Sequence, residues 1–146
     1  MQRSVLLGEF EFTLDAKNRV AIPARLRPAF AEGVVLTRFF EGCLAVFPPT
    51  EWDHFVEERM GDLPAMSREG REMRRFLFGM AGWDDLDRQG RITIPGNLLE
   101  YAGLARDVTI VGVQDHVEIW DRAAYAAYRS HMEEGADAAA DQPAHQ

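Results

Sequence analysis

Cysteine is almost missing from this chain of 146 residues, and the single thiol, Cys43, allows no internal disulfide. Its four histidines, His54, His116, His131 and His145, are too scattered to give zinc-ligand spacing with that cysteine, so no structural metal site is expected. Long apolar runs are missing too. No stretch approaches the roughly 18 residues that cross a bilayer, and Met1 to Gly8 lack the apolar core of a signal peptide, so a cytoplasmic protein without a membrane partner is the expectation. Positive charge is in short supply, with 16 basic against 24 acidic side chains and a formal charge of −8. A surface uniformly attractive to nucleic acid is thereby excluded, and any such binding must come from a local patch. There is also no glycine-rich phosphate cradle and no activated Ser or Cys arrangement, so no cofactor is expected.

What the chain has is 47% hydrophobic residues and an internal repeat. The run from Leu14 to Leu26 aligns without gaps to that from Leu86 to Leu98, with Leu, Asp, Arg, Ile, Pro and Leu recurring in register. Farther on, Val34–Leu36 corresponds to Val108–Ile110 and Leu44–Phe47 to Val117–Trp120. In each copy the apolar residues alternate with polar ones, as at Phe10, Phe12, Leu14 and again at Val20 and Ile22, which predicts strands half-buried on one face. Asn18 and Gly90 hold the same place in two tight turns, and both residue types tolerate positive φ. Pro23 and Pro95 end the strands that follow, and short segments carrying Leu26 and Phe30, or Leu98 and Leu99, come next.

After each copy the apolar period lengthens to that of a helix. Trp52, Phe55, Val56 and Met60 form one stripe, Tyr125, Tyr128 and Met132 another, with Thr50 and Asp121 as expected N-caps. Ser67 is placed to cap a linker helix with the stripe Met73, Phe76, Leu77 and Met80. Its other face carries Arg68, Arg71, Arg74 and Arg75 interleaved with Glu69 and Glu72, a pattern read as a solvated helix face. The expected organisation is thus a first repeat at 9–51, a helical linker at 52–80, a second repeat at 81–124, a terminal helix at 125–132 and a disordered acidic tail at 133–146. Copies of about 40 residues are too small to fold alone, so the two must share a core. The predicted architecture is mainly β with peripheral helices, a pseudo-twofold β-barrel of interleaved strands from two tandem repeats.

These motifs, together with Gly8-Glu9-Phe10, the Phe47 to Trp52 stretch and Val111-Gly112-Val113 ahead of Glu118-Ile119-Trp120-Asp121, resemble the MraZ family over about residues 5 to 130. The resemblance implies tandem SpoVT-AbrB domains of the swapped-hairpin or double-psi type, assembly into a homo-oligomeric ring, and a transcriptional regulator associated with the nucleoid. Such regulators bind repeated boxes on double-stranded DNA upstream of the division and cell-wall gene cluster. Two departures stand out: Asn18 replaces the glycine usual at the first turn, and Met1 to Ser4 precede the usual start and are assigned no role.

The residues themselves suggest where DNA would lie. From Asp15 to Phe30 the local charge is +3, from Lys17, Arg19, Arg25 and Arg27 against Asp15, whereas from Asp87 to Ala102 Arg88 and Arg91 only balance Asp87 and Glu100. Guanidinium forks can hold phosphates or guanine edges, so Arg19 leads as a base or phosphate contact. Lys17, Arg25 and Arg27 would set orientation on phosphates, Asp15 would hold Arg19 or the turn, and Arg91 and Arg88 are weaker candidates. Two other readings compete. A barrel enzyme would use Asp15 and Asp87 as an acid/base pair, although an Arg beside each keeps both ionised. An AbrB-like antitoxin or protein-interaction module would more often carry one copy and a long tail.

Overall fold

The computed structural model describes residues 5–141. In chain order, β1 (Leu6–Thr13) and β2 (Arg19–Ala21) lead through a 3-10 helix at Ala24–Phe30 to β3 (Val34–Arg38) and β4 (Leu44–Phe47). Helices α1 (Pro49–Met60) and α2 (Arg68–Phe78) then precede β5 (Gly82–Asp84), β6 (Arg91–Thr93), α3 (Gly96–Ala102), β7 (Asp107–Gln114), β8 (Val117–Asp121) and α4 (Arg122–Ala140).

Six strands form one antiparallel sheet in the order β1-β7-β8-β4-β3-β5, and β2 pairs with β6 in a separate ribbon. The order reads the same from either end once repeat equivalents are exchanged. A pseudo-twofold axis therefore runs between β4 and β8, where Leu44 faces Ile119 and Val46 faces Val117, and through the ribbon at Val20 opposite Ile92. Across that axis β1 pairs with β7 and β5 with β3, so each edge strand lies beside a strand of the other repeat. The expected interleaving is present, and the fold is mainly β with helices outside.

Alternation along the strands sorts their side chains into two cores. On one face Val34, Leu36, Leu44, Val46, Val117 and Ile119 pack with ribbon residues Val20, Ile22, Ile92 and Ile94. On the other, Val35, Ala45, Phe47 and Trp120 meet Trp52, Met60, Leu77 and Tyr125 from the helices. Burial on both sides makes β4 a continuous apolar run and β3 apolar from Val34 to Leu36, after which the buried Thr37 hydroxyl donates to Leu77 O at 2.6 Å.

Ser67 and Asp121 cap α2 and α4 as predicted, accepting from the N–H groups of Gly70 and Ala124. Thr50 does not cap α1. That helix starts at Pro49, whose fixed φ and missing N–H suit the first helical position, and Thr50 falls inside the first turn. The terminal helix also runs farther than expected, to Ala140, although Glu133–Ala140 is exposed throughout. Its alanines have the highest helix propensity and carry the helix on where no packing is available. The expected disordered tail is thus corrected over 133–140, and its end at 142–146 lies outside the described residues. Met132, expected in the buried stripe, is 41% exposed because its part of α4 has left the sheet behind.

Candidate nucleic-acid interface

The two Asp-x-x-x-Arg turns are built alike. Asp15 Oδ1 accepts from the N–H groups of Lys17 and Arg19, each at 2.9 Å, and Oδ2 accepts from Arg19 Nε at 2.7 Å. Asp87 does the same with Gln89 and Arg91, all at 2.9 Å. Each carboxylate thereby closes its own turn and fixes the arginine that follows. The Arg19 N–H, assisted by the Arg19 guanidinium and the Lys17 N–H, holds the Asp15 carboxyl below the usual carboxylate range. Arg91 and Gln89 act likewise on Asp87. At the tips Asn18 and Gly90 take φ of 59° and 75°, the left-handed conformation foreseen for both.

The turns sit side by side because each is bonded to the other repeat. Ile94 N–H donates to Asn18 O at 2.9 Å and Ile22 N–H to Gly90 O at 2.8 Å, at either end of the β2–β6 ribbon. Arg27 adds a third tie. Its Nε donates to Ile22 O at 2.7 Å, and the side chain packs so tightly on Gly90 that a Cβ there would lie 2.2 Å from that nitrogen. The residue equivalent to Arg27 in the second repeat is Leu99, and the residue equivalent to Gly90 is Asn18. Glycine is thus demanded at the one tip that a guanidinium covers.

The guanidinium groups differ in what they touch. Arg91 Nη1 lies 3.6 Å from Asp15 Oδ2 and its Nη2 donates to Gln89 Oε1 at 3.3 Å, so all three of its nitrogens have partners. Arg19 is tied through Nε to Asp15, and among the described residues its two Nη groups meet no acceptor. Lys17 and Arg88 are exposed beside their turns. Asp15 consequently serves both arginines, a link between repeats that a one-copy reading of the motif does not foresee.

The family model described as "MraZ protein, putative antitoxin-like" matches residues 5–76 and again 77–145, one match for each repeat. The chain belongs to the MraZ family. It is 48% identical over 116 residues to the transcriptional regulator MraZ of Roseiflexus castenholzii, with 80% of each chain covered. With the protein of the same name from Desulfitobacterium hafniense it shares 41% identity over 137 residues, 94% of this chain and 95% of that one. A third, from Lachnoclostridium phytofermentans, is 41% identical over 118 residues, 81% and 82% of the two chains. These relatives are named as regulators of transcription and not as enzymes, which supports a regulatory role here. No helix among the described residues is long and apolar enough to cross a membrane.

Elsewhere in this MraZ fold the predicted cations divide. Arg25 is exposed, and it lines a cleft with Val5 and with Leu6–Phe10 of the edge strand β1, away from the grouping formed by Arg27 and Gly90. On α2, Arg74 donates to the carbonyls of Gly70, Met60 and Leu63, and Arg71 to that of Met66. Those two arginines brace the α1–α2 connection. Gln89, which accepts from Arg91 Nη2, is a residue that sequence reasoning misses; it aligns with Lys17 in the repeat.

Proposed function

We propose that this protein is a sequence-specific DNA-binding transcriptional regulator that uses the paired turns as its reading face. On this reading it binds repeated boxes upstream of the division and cell-wall gene cluster as a homo-oligomeric ring, and is associated with the nucleoid. The observation that carries the proposal is the contrast at the turns: Arg19 is oriented by Asp15 through Nε, and among the described residues its Nη groups meet no acceptor, on an exposed turn beside the cation of Lys17. A guanidinium fixed at Nε and open at Nη can form the bidentate contact that guanine O6 and N7 or a phosphate accepts. Arg27, seated over Gly90, adds charge at the second tip, and Arg91 stiffens the pair of turns. Lys17 and Arg88 contribute phosphate contacts that carry no sequence information, and Arg25 reaches DNA only from the neighbouring cleft.

Ring assembly is supported by the two open sheet edges. One edge, β1, exposes Leu7 with Val5 just ahead of it, and the other, β5, exposes Trp83 at 82%. A head-to-tail contact between unlike edges repeats around an axis and closes when the rotation allows. Successive DNA boxes then meet successive reading faces, and the modest affinity of one protomer is multiplied. The test is footprinting on the gene's own upstream region with Arg19→Ala beside the unaltered protein, together with native mass spectrometry. Loss of the footprint with assembly retained is expected; an unchanged footprint, or loss of assembly in the variant, overturns the assignment of Arg19.

A further inference from the structure

One feature unused by the DNA reading is a cleft on the opposite side of the large sheet. It has a volume of about 740 Å³ and lies between the α1–α2 connection and the β7–β8 hairpin. Phe39, Phe55, Met60, Leu63, Met73 and Leu77 form its apolar walls. This volume lies within the range of small-molecule sites, which combine apolar walls with a few converging polar groups.

The polar groups are of one dominant sign. His116, with a side chain only 7% exposed, packs between the carboxylates of Asp115 (Nδ1 to Oδ1, 2.6 Å) and Glu118 (Nε2 to Oε2, 3.3 Å). Its ring stacks on Phe47 at 4.6 Å and meets the edge of Phe39 at 5.0 Å. Glu118 Oε1 also accepts from Trp120 Nε1 at 3.0 Å, which pins that carboxylate at the cleft wall. Glu58 and Asp62 add two more acids from α1 and the turn after it, against Arg59 alone. Even with His116 protonated, acids outnumber bases in the lining. Each ionised carboxylate has about four acceptor sites, so Asp115 and Glu118 retain capacity for a further donor. Aromatic faces beside carboxylates favour a cation that is desolvated on one side. A bare metal ion does not fit, because among the described residues no three acidic or sulfur and imidazole ligands converge.

We propose that this cleft binds a small organic ammonium ligand whose apolar body lies among Phe39, Phe55 and Met73 and whose charged nitrogen is held by Glu118 and Asp115. The site is separate from the paired turns, so its test stands independently of DNA binding. The probe is 2-phenylethylammonium, with the neutral 2-phenylethanol and anionic 3-phenylpropionate as matched controls, followed through methyl-labelled methionines in the full chain. Saturable shifts at Met60 and Met73, with Met66 and Met132 unmoved, are expected for the cation alone. Glu118→Gln keeps an acceptor for the Trp120 indole and should weaken binding by about fivefold or more, the scale of a charge-assisted contact. Asp115→Asn, at a more exposed position, repeats the comparison should Glu118→Gln alter the unliganded spectrum. Equal shifts from the alcohol, silent Met60 and Met73 methyls, or undiminished binding in both variants overturns the proposal.

Discussion

The first turn, Asp15 to Arg19, and the second, Asp87 to Arg91, have the same backbone and opposite relations to their surroundings. In the first, Asp15 serves two arginines and the Nη groups of Arg19 have no partner among the described residues; in the second, Arg91 is tied by Asp87, Asp15 and Gln89. Duplication conserved the carboxylate that closes each turn and left the guanidinium groups free to diverge. The pseudo-twofold axis makes that divergence useful, since it brings an open fork and a closed one onto a single ribbon. Rigidity can then be supplied by one repeat and contact by the other.

The sharpest way to break the comparison is to remove each arginine in turn. Arg19→Ala should lower affinity for a cognate box by about 10- to 100-fold, and Arg91→Ala by only about threefold through loosened geometry. Equal losses in a gel-shift titration would show the two forks to be alike. Next in size, Gly90→Ala places a methyl group against Arg27 at positive φ and should cost about 1–3 kcal/mol in thermal or denaturant unfolding. The matching Asn18→Gly should shift stability by only a few tenths of a kcal/mol. A smaller effect is expected from Gln89→Lys, which releases Arg91 Nη2 and gives the second turn the cation of the first. DNA affinity should rise by about two- to fivefold and the salt dependence steepen, measured as log K against log salt.

The smallest effect is one of acid. The carboxyls of Asp15 and Asp87 are both lowered in the folded state, chiefly by the N–H groups of Arg19 and Arg91. Their stabilisation is therefore complete above the ordinary carboxylate pKa of about 3.9 and fades as pH falls through the lowered value. Carboxyl shifts followed by NMR should titrate below the ordinary aspartate range for both residues, and in Arg19→Ala that of Asp15 should rise only part of the way, because the guanidinium is lost while the backbone N–H of residue 19 remains, with Asp87 staying low.

Much of this was legible in the chain because local rules govern it. Period-two alternation located the strands, the Asn18 and Gly90 pair forecast left-handed tips, and Ser67 and Asp121 announced their caps. The repeat also required a shared core. What stayed hidden depends on distant contacts or on their lack. Nothing local tells that Arg25 faces β1, that Asp15 reaches Arg91, or that Gln89 closes a fork. Thr50 looked like a cap until two prolines set the start of α1 ahead of it, and the tail looked unstructured until its alanines sustained a helix without a core.

The pairing of β1 with β7 sets Leu6 against Gln114 and Thr13 against Asp107. Roughly a hundred residues separate these partners, so during synthesis the first strand emerges from the ribosome long before its mate exists. Long-range pairing of this kind is slow and leaves the backbone and the apolar face of β1, with Leu6, Phe10 and Phe12, without a partner. The nascent chain thus passes through a period of exposure to chaperones, and a message truncated before β7 yields a polypeptide that cannot complete even its earlier half.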